Sequence, residues 1–405
     1  MNAAAGSSGP VVGIVGGGQL ARMLAEAATP MGIHVRVLAA PGDEGAAEVV
    51  PDIQIGDPHD PEALRSFAAT VDVVTFDHEN VDHDTLAQLE AEGVAIHPGV
   101  GTLRFSDKAH QRVTFAAAGL PVPPFAVVDP VADVEGAVAM AGAFSARHGD
   151  ATGRIVAKAS RGGYDGRGVW MLQRDEVPAF VRNYGGAPLV LEPLLPLDRE
   201  VAVLVARRRS GATATWPVVE TVQVGGMCDE VLLPAQIGPD VALRALEIAE
   251  RVAEVTGAVG VLAIELFVSD GEVLVNEIAP RVHNSGHLTI EGTRTSQFTQ
   301  HLRAVLDWPL GPTDPTAAVA VMANVVGGPS GDPRDRQPAA LDAVPGAYLH
   351  LYGKTARPAR KIGHVTVLGD DLAVARSAAN LAADVLAGTV GSPGPGDAVA
   401  GSHDA

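Results

Sequence analysis

The chain holds a single cysteine, Cys228, among 405 residues. An intrachain disulfide framework is excluded, and a reducing compartment is expected. Aromatic residues are scarce at 4%, although 47% apolar content is ample for real cores. Basic residues are outnumbered, 29 Lys and Arg against 48 Asp and Glu, for a formal charge of −19. Nucleic acid is therefore disfavoured as a partner, because gripping it takes a basic face. No apolar run approaches the roughly 18 residues of a membrane span, so no membrane partner is expected. Residues 1–10 read as a flexible Ala/Gly/Ser leader without the basic region of a secretory signal, which makes the cytoplasm the expected location. The 13 histidines include no H-E-x-x-H and no zinc-type Cys/His spacing. His59, His78, His83 and His110 read as ordinary polar or core histidines. No G-x-S-x-G or Cys/His pair marks a nucleophile.

What the chain does have is an organised set of strands ending in polar clusters. Val11–Val15 reads as a buried strand, followed by Gly16-Gly17-Gly18, a helix through Ala28 and a second strand over 33–38. That is a βαβ unit. A third strand, 71–76, ends in Asp77-His78-Glu79-Asn80. Ligands of open α/β sheets bind at that end of the strands. Residues 11–106 are expected to form a doubly wound α/β domain.

A second unit, 107–312, opens with a helix over 107–118 and contains a flap over about 121–193. Its apolar positions 241, 245, 248, 252 and 255 have helical spacing, closed by Gly257. A Pro/Gly/Asp-rich stretch, 311–316, marks the boundary to a small mixed unit over 313–388. The tail, 389–405, has a disordered composition.

Gly16-x-Gly18-x-x-Ala21 fits a dinucleotide turn, but no acid stands at the end of the second strand until Asp43. The signal for NAD is weak. The turn is expected to bind another phosphate or only to pack tightly. Residues 162–168 hold four glycines in seven positions with no Lys-Ser/Thr after them. They read as a strand-loop-strand lid rather than a Walker loop. Lys158 ends the strand before that lid and is placed to pair with phosphate oxygens.

The densest polar stretch is Asn276-Glu277-Ile278-Ala279-Pro280-Arg281-Val282-His283-Asn284-Ser285-Gly286-His287. It follows a strand carrying Glu265. With a three-residue turn, Glu265 pairs with Val275 and lies diagonal to Glu277. With a two-residue turn it pairs with Asn276. In either register a second oxygen ligand stands beside Glu265, a pattern that suits Mg²⁺ bridging to nucleotide phosphates. Lys354, Arg357, Arg360 and Lys361 put four cations into eight residues of an acidic chain, which suggests a phosphate receiver.

Together these pieces resemble the ATP-grasp superfamily and, within it, the 5-(carboxyamino)imidazole ribonucleotide synthase family. Four stretches carry the resemblance: GGGQLARM at 16–23, GGYDGRG at 162–168, NEIAPRVHNSGH at 276–287 with TSQFTQHLRAVLDWPLG at 295–311, and YGKTARPARKIGH at 352–364. It spans about residues 11–370. Ala21 stands where Gly is usual, Asp77-His78-Glu79 where Glu-x-Glu is usual, and Val282 where Pro is common.

The resemblance implies a mixed α/β and α+β architecture: an N-terminal doubly wound α/β domain, an ATP-grasp central domain and a small mixed C-terminal domain. It implies ATP and Mg²⁺ as cofactors, with bicarbonate and 5-aminoimidazole ribonucleotide as substrates. The reaction would run through carboxyphosphate, giving a carbamate, ADP and phosphate. Another ATP-grasp ligase, such as a formate-dependent ribotide formyltransferase, is the alternative. A homodimer and a transient contact with the next-step mutase are also implied.

By position, Lys108, Lys158, Asn276 and Gln223 would contact ATP, and Gly163, Tyr164, Asp165, Gly166, Arg167 and Gly168 would close over it. Glu192, Pro193, Leu194 and Leu195 would form the adenine hinge, with Glu200 on the ribose. Glu265 and Glu277 would hold Mg²⁺. Arg281, His283 and Asp165 would act on the reacting groups. Gln19, Leu20, Glu79, Tyr164, Asp165, Arg167 and Arg281 would contact the ribotide. Lys354, Arg360 and Lys361 would take its 5′-phosphate.

Overall fold

The computed structural model describes residues 9–163, 167–328 and 331–389. The expected leader and tail fall almost wholly outside them, as do Tyr164, Asp165 and Gly166 of the lid. No helix among the described residues is long and apolar enough to cross a membrane.

The strands β1 (Val11–Val15), β2 (His34–Ala39), β3 (Ile53–Ile55) and β4 (Val73–Phe76) form a parallel sheet in the order β3-β2-β1-β4. Val12, Ile14 and Val15 are fully buried, as expected of a parallel strand covered on both faces. The order sets β1 beside β4, so their C-terminal ends share one opening.

The glycine turn lies there, but it is no phosphate cradle. The Asp77 carboxylate already fills it, accepting from the Gly18 N–H at 2.9 Å and the Ala21 N–H at 3.0 Å. Asp43 accepts from the Gly17 N–H at 3.0 Å. A Cβ on Gly18 would fall 2.4 Å from Asp77 Oδ2, so glycine is needed for the approach. The start of the helix Gln19–Ala28 therefore has an internal anion. Of the two expectations for this turn, another phosphate or tight packing alone, the contacts fit tight packing, and the phosphate and NAD readings are corrected.

A second sheet is the flap. It holds β5 (Ala126–Val128), β6 (Ile155–Ala159), β7 (Val169–Leu172) and β8 (Leu189–Pro193), antiparallel in the order β5-β8-β6-β7. The helices Val134–His148 and Val177–Asn183 cover it, with Ala141, Phe144 and Val181 in its core.

The third sheet contains β9 (Arg199–Arg207), β10 (Thr213–Thr215), β11 (Val219–Val224), β12 (Met227–Leu233), β13 (Gly260–Ser269), β14 (Glu272–Ala279), β15 (Val319–Val326), β16 (Tyr348–Leu351) and β17 (Lys361–Gly369). Its order is β14-β13-β9-β11-β12-β15-β17-β16, with β10 on β9. β12 pairs with β15, so the sheet runs unbroken past the boundary expected near residue 312. The helix Pro239–Thr256 buries Ala245, Ile248 and Val252 in the core beneath β9 and β13. Each large aliphatic side chain so buried contributes about 1.5–3 kcal/mol. Gly257 ends this helix at φ 61°, the left-handed region that glycine enters without strain.

The β13–β14 register decides where the two acids point. Asp270-Gly271 makes a two-residue turn with φ of 50° and 77°, and Leu266 stands opposite Val275. Glu265 then stands opposite Glu277 because the register shifts at this point. Asn276 is the extra residue of a β-bulge. Both registers expected from the sequence are thus corrected: Glu265 pairs directly with Glu277, neither with Val275 nor with Asn276.

Candidate active site

A cleft of about 1020 Å³ opens where the β1/β4 end of the first sheet faces β13 and β14. Glu265, Glu277, Arg281, His283 and Lys361 line it, and Gln19, Leu20 and Glu79 line the opposite wall. Lys108, Gly163 and Gln223 also reach it. A second cavity, about 610 Å³, lies between Arg22 and Arg334. Its acids, Glu26, Glu48 and Asp332, are all ion-paired with these two guanidiniums.

Lys108 is the first residue of the helix Lys108–Ala117, which Asp107 caps by accepting from the Ala109 and His110 N–H groups at 2.9 and 3.2 Å. The helix start is also pinned to the end of β6, Lys108 N–H to Ser160 O at 2.8 Å. From there the Lys108 ammonium donates to Glu277 Oε2. Burial opposes a charge on Glu277, but Lys108 outweighs it and holds the pKa low. At Glu265, burial and then the Glu277 charge push the pKa up. Two carboxyl groups thus stand face to face, with Lys108 bonded to Glu277. Among the described residues no three acids or imidazoles gather into a complete metal cage. Two carboxylates with phosphate oxygens completing the shell is the donor set that suits Mg²⁺.

Behind this pair, Lys158 Nζ bridges Glu192 Oε2 at 2.8 Å and Asn276 Oδ1 at 2.9 Å. Arg112 binds the other Glu192 oxygen. The Glu192 side chain is therefore a buried counter-ion. Glu192, Pro193, Leu194 and Leu195 lie at and just past the end of β8, outside the walls of the cleft. Burial raises the pKa of Glu200, which Lys158 counters and Glu277 reinforces. Sequence reasoning missed Arg112, although it stands four residues from Lys108 and so shares a helix face with it.

Arg281 Nε lies 3.0 Å from Glu79 Oε1, an ion pair between the two walls. The His283 Nδ1 lies 2.9 Å from Ser285 Oγ and accepts from the Ser285 N–H at 3.4 Å, an arrangement that fits the proton on Nε2. That nitrogen is 3.4 Å from Glu265 Oε1. Burial, then the Arg281 and Lys361 charges, push the His283 pKa down to about 4, so the ring is neutral at pH 7. It can donate a hydrogen bond but adds no charge. Cys228 also lines the cleft, yet burial pushes its thiol up to about 12, and it is no nucleophile.

The basic cluster divides. Lys361 faces the cleft. Lys354 lines the second cavity and touches the cleft wall through its hydrogen bond to Gln19 Oε1. Arg360 pairs with Glu44. Arg167 and Gly168 flank the undescribed lid tip. His78 and His83, expected to be ordinary histidines, both line the cleft.

These features define an ATP-grasp enzyme, and comparison with known proteins agrees. Residues 113–298 match the ATP-grasp domain, residues 10–107 the ribonucleotide synthetase preATP-grasp domain, and residues 320–378 the phosphoribosylaminoimidazole carboxylase C-terminal domain. The N5-carboxyaminoimidazole ribonucleotide synthase of Mycobacterium tuberculosis is 46% identical over 387 residues, 93% of this chain and 88% of that protein. Two crystal structures from Aspergillus clavatus superpose with a TM-score of 0.83. Carboxyaminoimidazole ribonucleotide synthase with ATP is 32% identical and covers 93% of this chain and 98% of its own. N5-carboxyaminoimidazole synthase with ADP and 5-aminoimidazole ribonucleotide is 30% identical and covers 94% and 99%. The chain belongs to the N5-carboxyaminoimidazole ribonucleotide synthase family.

Proposed function

We propose that this protein uses ATP to attach a bicarbonate-derived carboxyl group to the exocyclic amine of 5-aminoimidazole ribonucleotide. The observation that carries the reading is the direct opposition of Glu265 and Glu277 beside Lys108, in the same cleft as Arg281 and His283. Phosphoryl transfer depends on positioning and charge neutralisation, and these residues supply both. A bound Mg²⁺ would neutralise the phosphate oxygens facing the two carboxylates. Lys108 and Lys158 hold positive charge beside them. Arg281 and the Nε2–H of His283 face the bicarbonate. One bicarbonate oxygen takes the γ-phosphoryl group and ADP leaves. The amine nitrogen then bonds to the carboxyl carbon, directly or after CO₂ is released. The carbon–oxygen bond to phosphate breaks, and the nitrogen loses a proton. Gln19, Leu20 and Glu79 line the ribotide side, with Lys354 and Lys361 toward its 5′-phosphate. The proposed setting is the cytoplasm, with a homodimer in transient contact with the next-step mutase.

The test is ADP release titrated with the ribotide in degassed buffer, with bicarbonate, with formate and with neither. The expected result is release that needs the ribotide and rises with bicarbonate alone. Release driven by formate, or indifferent to both, overturns the reading.

A further inference from the structure

His283 is gripped by a residue outside its own loop. Gln297 is the first residue of the helix Gln297–Val305 and is fully buried. Its Oε1 accepts from the His283 N–H at 2.8 Å. Its Nε2 donates to the His283 carbonyl oxygen at 2.7 Å and to His287 Nδ1 at 3.0 Å. One carboxamide thus satisfies both backbone groups of His283, as a neighbouring strand would. A carboxamide carries its donor and its acceptor side by side on one planar, uncharged tip, the spacing that a backbone N–H and C=O present. The packing around that tip is closed, since a Cβ on Gly286 would fall 2.4 Å from Gln297 Oε1.

The helix does not need this contact to form or to dock. Ser296 caps it, and its side chain accepts from the Thr299 N–H at 3.2 Å. Phe298, Leu302 and Val305 bury its apolar face. His301 ties it to both neighbouring sheets, with contacts to Thr75 Oγ1 at 2.7 Å and the Val261 N–H at 3.0 Å. The Gln297 amide is then left to act on the chain at residue 283.

We propose that Gln297 is a positioning residue for the reaction, which fixes the backbone of His283 so that its Nε2–H stays aimed into the cleft beside Glu265. The inference rests on the reading of His283 given under Proposed function. A misplacement of about 1 Å in such a group can cost roughly 10²-fold in rate.

The experiment compares wild type, Gln297→Met, Gln297→Glu, His283→Ala and the double variant Gln297→Met/His283→Ala. ADP release gives kcat and KM, and calorimetry gives the ADP Kd. Gln297→Met keeps the length and loses all three side-chain hydrogen bonds. Gln297→Glu keeps the shape and sets an acceptor against the His283 carbonyl, so it remains informative if the Met variant folds poorly. The expected result is a fall in kcat of about 10²-fold in both Gln297 variants, with an ADP Kd within about twofold of wild type. The double variant is expected to be no slower than His283→Ala. Multiplied losses in the double variant, a Glu variant as fast as wild type, or ADP binding lost in step with kcat would each overturn the inference. A His283→Ala enzyme with wild-type kcat overturns the underlying assignment of His283 as well, so the two failures are told apart.

Discussion

Glu79 and Arg281 meet between the first parallel sheet and the large sheet, carboxylate to guanidinium at 3.0 Å. Burial opposes the charge on Glu79, and Arg281 outweighs it, so the carboxyl is held below its ordinary range. Arg281 is in turn aimed by a residue from another domain. Glu79→Gln removes that counter-charge. Losing one partner of such a pair costs about 2 kcal/mol or more, roughly 30-fold. We expect kcat/KM for the ribotide to fall by about that factor while ADP affinity is unchanged, as read by steady-state kinetics and calorimetry.

Glu265→Gln should separate stability from activity. Burial and the facing Glu277 charge both disfavour a charge on Glu265, a cost that a bound cation would relieve and a neutral amide avoids. Without Mg²⁺ the variant is expected to melt higher than wild type. With Mg²⁺ and ATP its turnover is expected to fall about 10²-fold, the scale of losing a preorganised electrostatic group. A variant that melts lower and turns over normally would show that the two acids are not a cation site.

Arg112→Met tests the ion triad behind the cleft. Arg112 and Glu192 are each 2% exposed. Burial alone would raise the Glu192 pKa, but Lys158 and then Arg112 hold it down. Removing one partner from a buried ionic cluster costs about 3–5 kcal/mol. The urea midpoint should drop accordingly, and a drop worth less than about 1 kcal/mol would deny the triad that role.

His301 makes stability depend on pH. Val261 N–H donates to its Nδ1, which leaves the proton on Nε2 facing Thr75. Burial, then His97, push its pKa down to about 3 in the folded state. The unfolded chain takes up a proton near its ordinary value of about 6.5. This contribution is therefore whole above pH ~6.5 and is lost as pH falls toward 3, at up to about 1.4 kcal/mol per unit. In His301→Gln the melting temperature is expected to vary less over pH 6.5 to 4.5 than in wild type, and parallel curves would refute it.

Lys354→Ala should weaken ribotide binding far more than ATP binding, because Lys354 reaches Gln19 on the wall proposed for the ribotide. Equal losses for both ligands would place it elsewhere.

Much of the fold is written in the spacing of apolar residues. β1 spans 11–15 as expected, and the helix Pro239–Thr256 ends at Gly257 as its capping residue indicates. Local patterns carried those features because they depend on local chemistry. The register of Glu265 and Glu277 did not follow from turn length alone, since the bulge at Asn276 depends on what β13 and β14 pack against. The Asp77 contact with the glycine turn spans 59 residues, and Gln297 reaches His283 across 14. Nothing in a linear pattern distinguishes such an amide from any other glutamine at a helix start. The helix Val134–His148 buries mainly Ala137, Ala141 and Phe144, too faint an apolar stripe to read from small residues.

The pairing of β12 with β15 has a practical consequence. Residues 320–323 pair with Glu230–Leu233 along the edge of β12 that β11 leaves open. A chain shortened to its first 312 residues would leave that row of amides and carbonyls bare, a template on which a second copy could add itself. What reads along the sequence as an accessory module is the seal that keeps the catalytic sheet from recruiting its own kind.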